Sequence, residues 1–230
     1  MSDLPCPAHL QWSYLGRVAY ATGLELQQAL RQALLQGASG DTLLLLEHPP
    51  VITLGRWGNA ENVLAPAAEL RRRGVELVRT DRGGDVTYHG PGQLVGYPIR
   101  RIGRGVVSHV QGMADAIIAL LKEHGLRSWW RDDHPGVWTE GGKIAAVGVD
   151  ARGGVATHGF ALNVSVDLDH FGLIVPCGHQ APVASMDRLL SPGTPLELAA
   201  LAGRLAHLLA RAYGANLCFL EPGLVAPARV

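Results

Sequence analysis

The sequence predicts an α+β fold, a mixed and mostly antiparallel sheet with flanking helices. Three observations lead there. Short apolar runs of strand length, bounded by glycine and proline, cluster along the chain and do not alternate one for one with helices. Two stretches before residue 125 have helical length and periodicity, and a third lies near the C-terminus. No apolar stretch reaches the roughly 18 residues of a membrane span, and neither an internal repeat nor a low-complexity linker is visible.

A strand over 10–15 comes first, then an amphipathic helix over 20–35 that Gly37 and Gly40 end. Leu43, Leu44, Leu45 and Leu46 read as a fully buried strand, broken by His48-Pro49-Pro50, with a second strand over 51–54. A short helix near 66–73 is followed by strands over 75–79, 86–88 and 94–99. The helix over 107–124 places Val110, Met113, Ala114, Ile117, Ile118 and Leu121 on one stripe. Strands over 136–138, 143–149 and 156–166 follow, the last two joined by Ala151-Arg152-Gly153-Gly154, whose glycines suit a hairpin. Thr194-Pro195-Leu196-Glu197 reads as a capping box with proline at the first helical position, and Gly214 as the stop of the final helix. The chain is expected to form one catalytic domain over 1–230, with about eight loose residues at the N-terminus and about twelve at the C-terminus.

Of the residues, 47% are apolar and 17% charged, and Lys plus Arg equals Asp plus Glu. Such a chain lacks the basic excess of a nucleic-acid binder. The run Arg71-Arg72-Arg73 reads as a solvated helix face. Cys6, Cys177 and Cys218 are too few and too dispersed for a disulfide framework, which fits a reducing cytoplasm. Neither a secretory start nor a membrane association is indicated.

Two places carry chemistry. Residues 82–93 hold four glycines and a proline, hence two tight turns about a short strand. Glycines there let backbone N–H groups approach a ligand, and Arg82, Tyr88 and His89 add donors, although an ordinary hairpin would show the same composition. The spacing matches neither a P-loop nor a dinucleotide fingerprint. Of the 20 lysines and arginines only Lys122 and Lys143 are lysines. Lys122 suits a helix C-terminus. Lys143 follows Gly141-Gly142 and opens an apolar run, so it is either a strand-end lysine reaching water or an ammonium that can also act as a base, a role closed to arginine. Pro176 and Gly178 put Cys177 on a turn, where a nearby cation would make its thiol nucleophilic. Cys218 lies in an apolar run that reads as core. Cys177, His179, His158 and His89 could supply metal ligands, but no Cys-x-x-Cys or His-x-x-x-His pair supports a metal, and none is expected.

Residues 82–99 (RGGDVTYHGPGQLVGYPI) resemble the signature of the octanoyl-[acyl-carrier-protein]:protein N-octanoyltransferases of lipoate biosynthesis. Segments 136–138 (GVW), 143–149 (KIAAVGV), 157–164 (THGFALNV) and 176–178 (PCG) match in order, and 43–55 also fits. The resemblance covers about residues 10–190. It implies a biotin/lipoate protein ligase-like fold, Cys177 as acyl-thioester nucleophile and Lys143 as the residue lowering its pKa. It also implies substrate contacts at Arg82, Gly83, Gly84, Asp85, Val86, Thr87, Tyr88 and His89, at Ala146, Val147 and Gly148, and at Gly159, Phe160 and Ala161. Ala184 stands where the family often has threonine. The implied donor is octanoyl-acyl carrier protein. The implied acceptors are lipoyl domains of 2-oxoacid dehydrogenase E2 subunits and the glycine cleavage H protein, and no cofactor is called for. Oxyanion donors are sought in the N–H groups near Gly178 and Lys143 or at the Gly83-Gly84 turn. An acyl slot is expected along Ala145, Ala146, Val147, Gly148, Phe160, Ala161 and Leu162, where burying seven carbons would supply roughly 5 to 6 kcal/mol. An ATP-dependent lipoate or biotin protein ligase shares the fold but has no use for the cysteine; a non-catalytic acyl-binding module is the other alternative.

Overall fold

A computed structural model describes residues 9–175 and 182–225. The expectations for Cys177 and for the first eight residues lie outside them. Eleven strands among the described residues form two sheets. The larger has the order β11-β1-β2-β6-β10-β9-β8-β7, built from β1 (His9–Arg17), β2 (Asp41–Glu47), β6 (Gln93–Arg101), β7 (Trp129–Arg131), β8 (Gly136–Thr139), β9 (Gly142–Asp150), β10 (Val155–Asn163) and β11 (Asn216–Phe219). β1 runs parallel to both β2 and β11, and the other pairings in this sheet are antiparallel. The smaller has the order β4-β3-β5, from β3 (Val51–Leu54), β4 (Glu76–Arg79) and β5 (Val86–His89). The mixed α+β architecture is therefore as predicted. The split into two sheets was not legible, because strand propensity does not specify partners.

Leu43, Leu44, Leu45 and Leu46 are fully buried because the two faces of β2 meet different cores. Leu43 and Leu45 join α3 (Val106–Glu123) and α5 (Leu198–Ala212), which follows the short α4 (Met186–Leu189), on one side of the large sheet. Leu44 and Leu46 face α1 (Tyr20–Leu35) on the other, where Leu30 and Leu34 pack with Val95 and Tyr97. A strand buried on both faces reads as a continuous apolar run. A third cluster joins Ile52, Val86 and Tyr88 of the small sheet to α2 (Ala67–Arg72) through Leu70. The β9–β10 hairpin turns at Gly153 and Gly154, whose φ values of 65° and 75° justify the glycines.

Three expectations need correction. The final helix starts at Leu198 with Glu197 as its N-cap, and no side chain caps it, so the residues from Thr194 form no capping box. Thr194 instead donates its hydroxyl to the Ser191 carbonyl in a local turn. Cys218 is exposed, because its apolar run is β11, the outer strand of the large sheet. The C-terminal segment is held further than its composition suggests: Leu220 N–H bonds the Trp12 carbonyl, and Val225 is buried in the α1-side core.

Candidate active site

A cavity of about 360 Å³ lies between the α1-facing side of the large sheet and the 82–89 segment. On β9 and β10 its wall is made of small residues, Ala146 and Gly148 beside Gly159 and Ala161, which pair directly across the ladder. Side chains alternate along a strand. Val147 and Phe160 border the same cavity but pack with the α3–α5 core, while Ala145 and Leu162 belong wholly to that core. The expected slot is thus one face of the two strands, and Ala145 and Leu162 drop out of it.

Lys143 reaches this face through an irregularity. Val137 pairs with Ala145 but Trp138 pairs with Lys143, so β9 carries one extra residue there. Ile144 and Ala145 consequently both enter the core, and Lys143 lines the cavity together with Ala146 and Gly148. Lys143 Nζ donates to the Pro135 carbonyl at 2.6 Å. Gly136, at φ 147°, lies beneath the lysine stem: a Cβ there would run into Cε and lie 3.0 Å from Nζ.

The described residues on either side of Cys177 are anchored. Val175 N–H donates to the Asn62 carbonyl at 2.8 Å, and Asn62 Nδ2 donates to Asp85. On the return, Lys143 N–H donates to the Pro182 carbonyl at 2.8 Å and Ala184 N–H to the Lys143 carbonyl at 3.0 Å. Asn163 Nδ2 adds a bond to the Ala184 carbonyl at 3.0 Å. Ala184 itself is buried in the core, so its methyl fills space behind the site.

The 82–89 segment is organised by its own arginine. The Arg82 guanidinium, buried, donates to Thr53 Oγ1, to the Thr53 and Asp85 carbonyls and to the Gly83 carbonyl. Gly83 N–H donates to Val149, so the loop is stitched to the end of β9. A Cβ at Gly148 would lie 2.9 Å from the Gly83 carbonyl, and this close approach requires the glycine. Asp85 accepts from Asn59 N–H at 2.9 Å as well as from Asn62. Arg82, Gly83, Gly84, Asp85, Val86, Thr87 and His89 all line the cavity. Tyr88 does not: its ring stacks on His170 in the small-sheet core, where burial pushes its hydroxyl up to about 12. The N–H groups of Lys143 and Gly83, expected as oxyanion donors, are both committed to carbonyls.

Residues not expected as substrate contacts complete the deep wall: Tyr20, Gln93, Tyr97, His158 and Asn163. His89 Nδ1 donates to Gln93 Oε1 at 2.7 Å, since Gln93 Nε2 is turned to Asn163 Oδ1 at 2.9 Å. Burial, with the nearby His48 and Arg82, lowers the His89 pKa to about 3, so its Nε2 is an acceptor. His158 stands at φ 58° inside β10, a strained conformation of the sort found at functional sites. Its N–H donates to Gln27 at 2.7 Å and its Nε2 to Asp81 at 2.8 Å, while burial and Arg82 lower its pKa to about 4. The alternation Gln93, Val95, Tyr97 along β6 was the signal available for Gln93 and Tyr97. Among the described residues no group of three or more His, Cys, Asp or Glu is placed to hold a metal.

A strand wall of small residues, a lysine turned onto it by a bulge and a glycine-rich loop stitched across its end make up this candidate site. Residues 19–207 match the lipoyl protein ligase A/B catalytic domain, and the chain belongs to that family. It is 52% identical over 178 residues to the octanoyltransferase of Solibacter usitatus, covering 76% of this chain and 81% of that one. With the octanoyltransferase of Acidobacterium capsulatum it shares 44% over 232 residues, covering 93% and 94%. Among solved structures, a bi-partite lipoate protein ligase from Thermoplasma acidophilum superposes with a TM-score of 0.72 at 16% identity, covering 95% of this chain and 90% of that one. That likeness shows the fold.

Proposed function

We propose that this chain is one catalytic domain that transfers an octanoyl group from octanoyl-acyl carrier protein to a lysine of lipoyl domains, through a thioester on Cys177. The supporting observation is that Lys143, on the cavity wall, is backbone-bonded to Pro182 and Ala184, the chain returning from Cys177. Octanoyltransferase relatives at 44–52% identity support the same reaction. The chemistry needs no ATP, since a thioester is exchanged for a thioester and then converted to a more stable amide.

In the first half, the Cys177 thiolate adds to the donor carbonyl and expels the carrier thiolate, which takes its proton from the Lys143 ammonium. In the second half, the acceptor amine adds to the acyl-enzyme, neutral Lys143 accepts the amine proton, and Cys177 leaves as thiolate. The thiolate–ammonium pair is then restored. The Pro135 carbonyl accepts from Nζ and holds the lysine head at the cavity wall. The substrate contacts carried over from the resemblance fit the cavity wall, apart from Tyr88, and lipoyl domains of E2 subunits and the H protein are the proposed acceptors. No helix among the described residues is long and apolar enough to cross a membrane, and a cytoplasmic place of action fits the reaction's partners. Incubation with octanoyl-carrier protein and a lipoyl domain, without nucleotide, should add one octanoyl group to the domain. Transfer that appears only with ATP would reassign the chain to the ligases.

A further inference from the structure

The slot has a measurable length. Ala161 faces Val95 on β6 and Ala146 on β9, forming its middle rung, and Gln93 pairs with Asn163 one rung nearer Ala184. Continuing the β6–β10 register brings Tyr97 level with Gly159, which pairs with Gly148. The four residue steps from Asn163 to Gly159 span about 13 Å at a strand's rise, the length scale of an octanoyl thioester. Between Asn163 and this last rung the β9 and β10 positions of the slot face, Ala146, Gly148, Ala161 and Gly159, are small. There the slot meets Tyr97, which is 4% exposed.

Tyr97 is not free to swing aside. His48 Nδ1 is 2.7 Å from the Val18 carbonyl and must carry the ring's proton, because burial lowers the His48 pKa to about 4. Its Nε2, 2.7 Å from the Tyr97 hydroxyl, therefore accepts the phenol proton. Behind both rings lies α1 at Gly23, where a Cβ would be 3.1 Å from His48 and 3.7 Å from Tyr97. Retreat in that direction is blocked by helix backbone.

We propose that Tyr97, locked by His48 against α1, is the end stop that sets the length of acyl chain this enzyme accepts. The inference rests on the acyl-transfer reading above. Its test is kcat/KM for octanoyl- and decanoyl-carrier protein with wild type, Tyr97→Phe and Tyr97→Leu. Wild type should discriminate against decanoyl by about tenfold or more, the scale of two methylenes that cannot be buried. Tyr97→Leu should raise the decanoyl-to-octanoyl ratio about tenfold, and Tyr97→Phe, which keeps the ring but releases it from His48, should raise it less. A wild type that transfers both chains equally, or a folded Tyr97→Leu with an unmoved ratio, overturns the end stop alone. A wild type that transfers no octanoyl group contradicts the underlying reading as well. Equal transfer of both chains by wild type overturns the end stop whether or not the variants fold.

Discussion

Gly136 and Lys143 occupy the same few ångströms, and their relation carries the most specific consequence at the scale of single residues. The lysine stem passes where a side chain at 136 would be, and its ammonium meets the carbonyl one residue earlier. Gly136→Ala should displace the ammonium and weaken its hold on the thiol. The pH midpoint for alkylation of Cys177 should then rise toward the ordinary thiol value of about 8.5. In a Lys143→Ala background the same glycine substitution should shift that midpoint no further; an additive shift would mean that Gly136 acts independently of Lys143. The sequence marked Lys143 by rarity and Cys177 by its turn. It could not mark the bulge, because an extra residue in one strand is defined only against its partner. Likewise Tyr88 looked like a ligand contact in a glycine-rich loop, yet strand alternation turned it into the small-sheet core.

At the scale of elements, the long periodic helices and the leucine strand were legible, since each carries its own burial pattern. The pairing of strands was not, and neither was the cap of α5. Glu197 occupies that N-cap without bonding the helix N–H groups. Glu197→Ser should therefore stabilise the protein by about 1 kcal/mol, visible as a rise in Tm of roughly 2–4 °C. An unchanged Tm would show those groups to be satisfied already. The loop network makes the opposite kind of prediction. Asp85 ties Asn59 and Asn62 to the glycine-rich segment, and Asn62 holds Val175 at the entry to the cysteine segment. Asp85→Ala should cost about 1–3 kcal/mol and slow acyl loading more than the Tm loss explains. Full loading in a folded variant would remove Asp85 from the positioning of that segment.

Across the whole molecule, His48, His89, His109 and His158 are buried, and burial holds each well below the ordinary histidine value, at about 4 or, for His89, about 3. Above about pH 6.5 these groups are neutral folded or unfolded and do not affect stability. As pH falls from about 6.5 toward 4, the unfolded chain binds protons that the folded one refuses. Stability then declines by up to about 1.4 kcal/mol per pH unit for each histidine. Thermal melts at pH 7.5, 6 and 5 should show Tm falling progressively below pH 6.5; a flat profile to pH 5 would contradict neutral burial of these rings. The same fold gathers the β9–β10 wall, the glycine-rich loop and Val183, on the return from the cysteine segment, around one cavity, and the proposed reaction requires an acyl group carried there on Cys177. Intact-protein mass measurement after mixing with octanoyl-carrier protein, without ATP, tests it most directly. Wild type should gain one octanoyl group and lose it when a lipoyl domain is added, and Cys177→Ala should gain none. An adduct of equal extent on Cys177→Ala, or transfer to the lipoyl domain by that variant, would contradict it.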